Sequence, residues 1–128
     1  MTYRNKFIGV LRILLGVILV VFGLNGLIGF LPMPEAPAAA TEFMKALSQA
    51  GYFIPLLYGL EVLIGLFLLL NIFTPLMVLG FVPIALNILL YHLFLDPAGG
   101  AVGYFTVIIE IALLWAYSAH YTPLFRSR

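Results

Sequence analysis

Five polar side chains interrupt otherwise apolar stretches of this 128-residue chain: Arg12, Glu61, Asn87, His92 and Glu110. Groups of this kind in apolar spans are costly and normally face protein or a wet cavity. Arg12, Asn87 and His92 can donate hydrogen bonds to a carbonyl-bearing ligand, whereas Glu61 and Glu110 can hold and relay protons. The same groups also have a purely structural reading, in which Arg12 pairs with one glutamate and Asn87 bridges helices. Two carboxylates against one guanidinium leave one acid over, and a spare buried acid is commoner in functional sites than in inert packing. Asn25, Tyr58, Tyr91 and Asp96 form a second tier of candidates. His92 and Asp96 stand four apart, a spacing at which a hydrogen bond can orient the imidazole.

Other chemistries are excluded. The sequence has no cysteine, so disulfides, thiolate metal sites and a thiol relay of its own are ruled out. His92 and His120 fall near opposite ends of two helices, about 20 Å or more apart by helical rise, too far to share a haem. No metal-ligand spacing is found, and no tightly bound cofactor is expected. GLNGLIG (23–29) lies within an apolar span with no strand before it, so its glycines pack helices rather than cradle phosphate. A net charge of +1 leaves no basic stripe for nucleic acid.

The elements that position these groups are membrane helices. Hydrophobic residues make up 64% of the chain and charged ones 9%, against about 25% charged in soluble domains. Four stretches reach the ~20 apolar residues a span requires: Phe7–Leu31, Phe53–Ile72, Pro75–Leu95 and Val102–Tyr121. NIFTP (71–75) and DPAGG (96–100) read as tight turns. Between spans one and two, PMPEAP is too proline-rich for helix. Residues 38–50 then place Phe43, Met44, Leu47 and Ala50 on one helical face, giving a short amphipathic helix that lies on the membrane or caps the bundle. The expected fold is all-α, an integral membrane four-helix bundle.

Helical rise sets the depths. Across a ~30 Å core, Arg12 has its Cα ~9 Å from the edge nearest the termini, Asn87 ~18 Å, and Glu61 and Glu110 roughly 15–18 Å. The stripes expected to face inward are Gly9/Arg12/Gly16/Gly23/Gly26, Tyr58/Glu61/Gly65/Leu68, Pro83/Asn87/Tyr91 and Gly103/Thr106/Glu110/Leu113/Tyr117. Arg4, Lys6, Arg126 and Arg128 gather at one side, opposite Lys45 and three acids, which predicts cytoplasmic termini in a cell membrane. Tyr3, Tyr52, Phe53, Tyr104, Tyr117 and Tyr121 fall near the interfaces.

RILLGVILVVFGLNGL (12–27) resembles the first span of DoxX-like membrane proteins, and GYFIPLLYGLEVLIGLFLLL (51–70) resembles the second, with Glu61 at the family's acidic position. NILLYHLFLDP (87–97) is similar to the third-span segment of a bacterial subgroup, so Asn87 and His92 carry over. The resemblance implies a four-helix bundle in the bacterial inner membrane. It also implies association with quinol oxidase, with thiosulfate:quinone oxidoreduction or with thiol and superoxide enzymes; a distant animal relative assists receptor assembly.

The leading functional expectation is therefore a redox-associated subunit that holds a quinone-like or other lipophilic ligand in a polar cluster. The alternatives are an assembly or scaffolding partner of another membrane protein, alone or as a homo-oligomer, and a proton-coupled carrier of a small solute. Whether the chain catalyses a reaction is left open.

Overall fold

The computed structural model describes residues 3–128, with side chains from Asn5 onward. The parts assigned above to the side chains of Tyr3 and Arg4 lie outside the described residues. The helices are α1 (Tyr3–Ile28), α2 (Ala38–Gln49), α3 (Phe53–Leu70), α4 (Thr74–Phe94), α5 (Ala101–Ala116) and α6 (Ser118–Tyr121), and a 3-10 turn follows at Thr122–Phe125. Among the described residues there is no strand.

In α1, α3 and α4 the segments Asn5–Ile28, Phe53–Leu70 and Thr74–Phe94 are each long and apolar enough to cross a membrane. The fourth expected span, 102–121, is not one helix. α5 and the segment Ser118–Phe125 qualify only together, and they meet at 68°. Sixteen residues of α5 rise about 24 Å, short of a ~30 Å core. Beyond the break at Tyr117 the chain turns so that the Tyr121 hydroxyl donates to Pro75 O (2.6 Å). The chain thus has three spans, or four if the bent pair is counted as one.

α1 packs on α3 and α5, and α4 packs on the same two helices. Leu15, Leu19, Ile64, Leu68, Val78, Phe81, Ala85, Ile109 and Leu113 form the shared core. The outward faces stay apolar, with Val10, Val17, Leu56, Leu63, Ile111 and Trp115 all exposed. Helices apolar on both faces are made for lipid contact, and the chain is a multi-pass membrane protein.

The closest crossing joins α1 to α3. A Cβ at Gly65 would stand 2.8 Å from Gly16 O, and one at Gly16 would stand 3.0 Å from Gly65 O, so backbone meets backbone. Gly23 and Gly26 extend the contact beside Val62 and Tyr58, whereas Gly9 has no neighbour within 4 Å and takes no part in it.

One expected stripe is misplaced. Pro83 and Asn87 are exposed, and α4 instead buries Thr74, Val78, Phe81 and Ala85. At about 100° per residue, Asn87 sits well around the helix from that stripe. Large apolar side chains gain more from the core than an asparagine does, and they set the rotation of the helix.

Two connections hold the helices in register. Between α3 and α4, Asn71 (φ 56°) and Phe73 (φ 52°) are left-handed, and the Thr74 hydroxyl donates to Asn71 Oδ1 (2.6 Å). At the opposite end, α2 begins after Pro37 and ends before Gly51, whose φ of 86° suits only glycine. Ala40 is fully buried and the Phe43 ring lies 6.1 Å from that of Tyr91. α2 therefore folds over the end of the bundle as a cap.

Candidate functional site

Under α2 lies a cavity of about 940 Å³. Every major helix contributes to it: Phe22 and Asn25 from α1; Phe43, Met44 and Leu47 from α2; Tyr58 and Glu61 from α3. α4 adds Asn87, Tyr91 and His92, and Thr106 of α5 and Asp96 of the last turn complete the wall. Seven of the nine residues singled out from the sequence thus meet at one space: Asn25, Tyr58, Glu61, Asn87, Tyr91, His92 and Asp96. Arg12 and Glu110 are not among them.

Glu61 is the most buried ionisable group of the cavity wall, brought inward by the same stripe of α3 that buries Gly65 and Leu68. It is 6% exposed and has no hydrogen-bond partner among the described residues, while Tyr58 lies within electrostatic reach of both Glu61 and Tyr91. Gly26 makes room for the Tyr58 ring, since a Cβ there would stand 2.5 Å from it. Asn87 occupies the rim, exposed yet part of the wall, at mid-span of α4. Tyr91 lies one turn further on and shares its side of the helix.

Nearer the cap, the polar groups are already engaged. Asn25 Oδ1 accepts from Leu31 N (2.7 Å) just past the end of α1, and its amide nitrogen stays available to the cavity. His92 Nδ1 donates to the main-chain Asp96 O (3.2 Å), while the Asp96 carboxylate accepts from Gly99 N (3.2 Å). The orienting bond expected between His92 and the Asp96 side chain is thus made by the backbone instead. A carbonyl only accepts, so in the neutral ring Nδ1 holds the proton and Nε2 remains an acceptor. The ring is wedged edge-on against Tyr91 (5.1 Å) and Tyr104 (5.9 Å), and a Cβ at Gly103 would stand 2.8 Å from Nε2.

Arg12 does something other than the sequence suggests. Its guanidinium donates to Leu68 O and to Leu69 O (3.4 Å), the final carbonyls of α3. Such carbonyls lack partners within their own helix and carry the negative end of its dipole, so they compete effectively for a nearby cation. A depth estimate that considers only side chains overlooks them. Pairing of Arg12 with either glutamate is therefore replaced by capping of α3.

Glu110 is 1% exposed, and neither carboxyl oxygen has a hydrogen-bond partner among the described residues. It lies one turn beyond Thr106, sealed from the cavity that Thr106 lines. The sequence reading did not single out Phe22, Phe43, Met44, Leu47 or Thr106 as site residues. The amphipathic face of α2 was the available signal for Phe43, Met44 and Leu47, because a cap must turn its apolar side toward what it covers.

Together these features define a class: a multi-pass α-helical membrane protein with a half-open, aromatic-walled cavity holding one buried acid. The family model described as DoxX matches residues 7–94, and the chain belongs to that family. The match takes in Arg12, Asn25, Tyr58, Glu61, Asn87, Tyr91 and His92 and stops before α5 with Glu110. No curated protein and no solved structure matches the chain.

Proposed function

We propose that this chain is a small membrane-resident binding subunit that holds a lipophilic, polar-headed ligand in the cavity under α2 and serves a membrane redox complex. The carrying observation is the convergence of Glu61, Asn87, Tyr58 and Tyr91 on one apolar cavity, with none of them hydrogen-bonded to the described residues. Protein-only packing normally pairs a buried polar group, and Glu61, buried yet lining a cavity, is placed for a guest. Asn87 is exposed and also lines the cavity, so in this reading a lipophilic molecule arrives past it from the bilayer.

A quinone fits the donors present. The Tyr58 and Tyr91 hydroxyls and the Asn87 amide can each donate to a quinone carbonyl, and the apolar walls suit its ring and tail. When bound, a quinone supplies two-electron, two-proton redox chemistry, and Glu61 and His92 Nε2 are this chain's groups able to hold a proton beside it. Arg12, capping α3, takes no part. Orientation follows the basic residues, with both termini cytoplasmic and α2 on the outer face of the inner membrane. In this reading α5 and α6 together complete a fourth span.

A decyl-benzoquinone carrying a photoreactive diazirine tests the proposal in membranes. Crosslinks should fall on the peptides around Glu61 and Tyr91. Crosslinks confined to outward residues such as Leu63 and Trp115 would overturn it. A stoichiometric protein recovered with a chain that never labels would favour the scaffolding alternative.

A further inference from the structure

Beside a quinone Glu61 can hold a proton, but a carbonyl brings its ionised form no positive charge. A buried carboxylate is strongly disfavoured without a countercharge, and none is supplied from within. Arg12 is held on Leu68 O and Leu69 O, and neither lysine nor arginine lines the cavity. Lys45, on α2, is exposed and points away from it. The other ionisable groups of the wall are His92, fixed through Nδ1, and Asp96, whose carboxylate is bonded to Gly99 N. The wall therefore carries acids and an imidazole, with no fixed cation.

The rest of the lining is aromatic. Phe22, Phe43, Tyr58 and Tyr91 contribute rings from four different helices, and Tyr58 stands three residues before Glu61 on α3, on the same side of the helix. Ring faces attract cations, most strongly where water is excluded, and aromatic-walled cages are how proteins recognise quaternary ammonium heads. The cavity volume of about 940 Å³ leaves room for a bulky head together with part of a tail.

From this juxtaposition we infer that the cavity takes an amphiphilic organic cation, an ammonium or similarly delocalised positive head with apolar substituents, whose charge is countered by Glu61 and whose substituents lie against the rings. The inference rests on the reading of the cavity as a ligand site and departs from it only in the head group. Entry past Asn87 suits such a molecule, since amphiphilic cations concentrate in the bilayer and meet an amide at the rim before the acid within.

The test uses the full-length protein in a non-ionic maltoside detergent. Tetraphenylphosphonium, a permanent lipophilic cation, is the probe, and uncharged decyl-benzoquinone is the comparison. Equilibrium dialysis should show saturable one-to-one binding of the cation. Glu61→Gln should weaken that binding by roughly 30-fold, the loss expected when one partner of a buried charge pair is removed, and that loss should far exceed any change in quinone affinity. Tyr58→Phe should keep the cation affinity, and Tyr58→Leu should lower it several-fold, because the ring face and not the hydroxyl is required. Both Tyr58 variants keep Glu61 and so remain informative if Glu61→Gln melts early. Quinone binding without cation binding, or cation binding indifferent to both Glu61→Gln and Tyr58→Leu, would overturn the inference and leave the ligand site standing. Failure of both probes to bind would overturn the two together.

Discussion

Replacing Arg12 separates two accounts of the bundle. In the structure the guanidinium donates to Leu68 O and Leu69 O at the end of α3. Leu68 O also accepts from Asn71 N (3.2 Å), so it keeps a partner when Arg12 is lost. Leu69 O depends more heavily on Arg12. A hydrogen bond from a charged donor contributes about 1.5–3 kcal/mol, and the long 3.4 Å arm to Leu69 lies at the weak end. Arg12→Leu should therefore cost about 2–3 kcal/mol, and Arg12→Lys, which keeps a single donor, about 1 kcal/mol. Combining Arg12→Leu with Glu61→Gln or Glu110→Gln should give additive losses, with coupling below about 0.5 kcal/mol. The assay is reversible unfolding in mixed maltoside and dodecyl sulfate micelles, followed by circular dichroism. Recovery of more than about 1 kcal/mol in either double variant would show that the guanidinium answers that acid, and the capping argument would fail.

Other outcomes follow from the backbone. Gly65→Ala should cost about 1–3 kcal/mol, because its Cβ would meet Gly16 O at 2.8 Å; Gly59→Ala, with nothing within 4 Å, should be neutral or stabilising in the same unfolding assay. Asn71→Ala should cost about 1–2 kcal/mol, since alanine tolerates the left-handed backbone there less well than asparagine and the change removes the acceptor of the Thr74 hydroxyl. The chain has no native cysteine, so single cysteines report topology cleanly. Those at Ser48 and Gly99 should react with an impermeant maleimide outside intact cells, and one at Ser127 should not; reaction at Ser127 would reverse the orientation.

Much of this arrangement was legible in the residues. The apolar runs gave α1, α3 and α4 nearly to their ends, and the stripe Glu61/Gly65/Leu68 gave the inward face of α3. The apolar face of residues 38–50 gave a helix that had to cover something. What the sequence could not convey was competition. Arg12 chose main-chain carbonyls, which have no letter of their own, over two visible glutamates. Asn87 yielded the core to Phe81 and Ala85, because rotation of α4 is decided by apolar area rather than by its single amide. The break at Tyr117 has neither proline nor glycine to announce it; its visible anchor is a hydrogen bond to Pro75, 46 residues earlier. The cavity itself is a property of the cap and four helices together, and no one segment encodes it.

The central claim is that a ligand occupies the space around Glu61 and enters past Asn87, and native mass spectrometry of the intact protein released from maltoside micelles tests it most directly. Asn87 is exposed, so Asn87→Trp should fold normally and obstruct the rim. The account predicts a single small-molecule adduct at one-to-one stoichiometry on the wild-type chain, lost or sharply reduced in Asn87→Trp at unchanged melting temperature. A bare wild-type mass, or an identical ladder of loosely held lipids on both proteins, would contradict it.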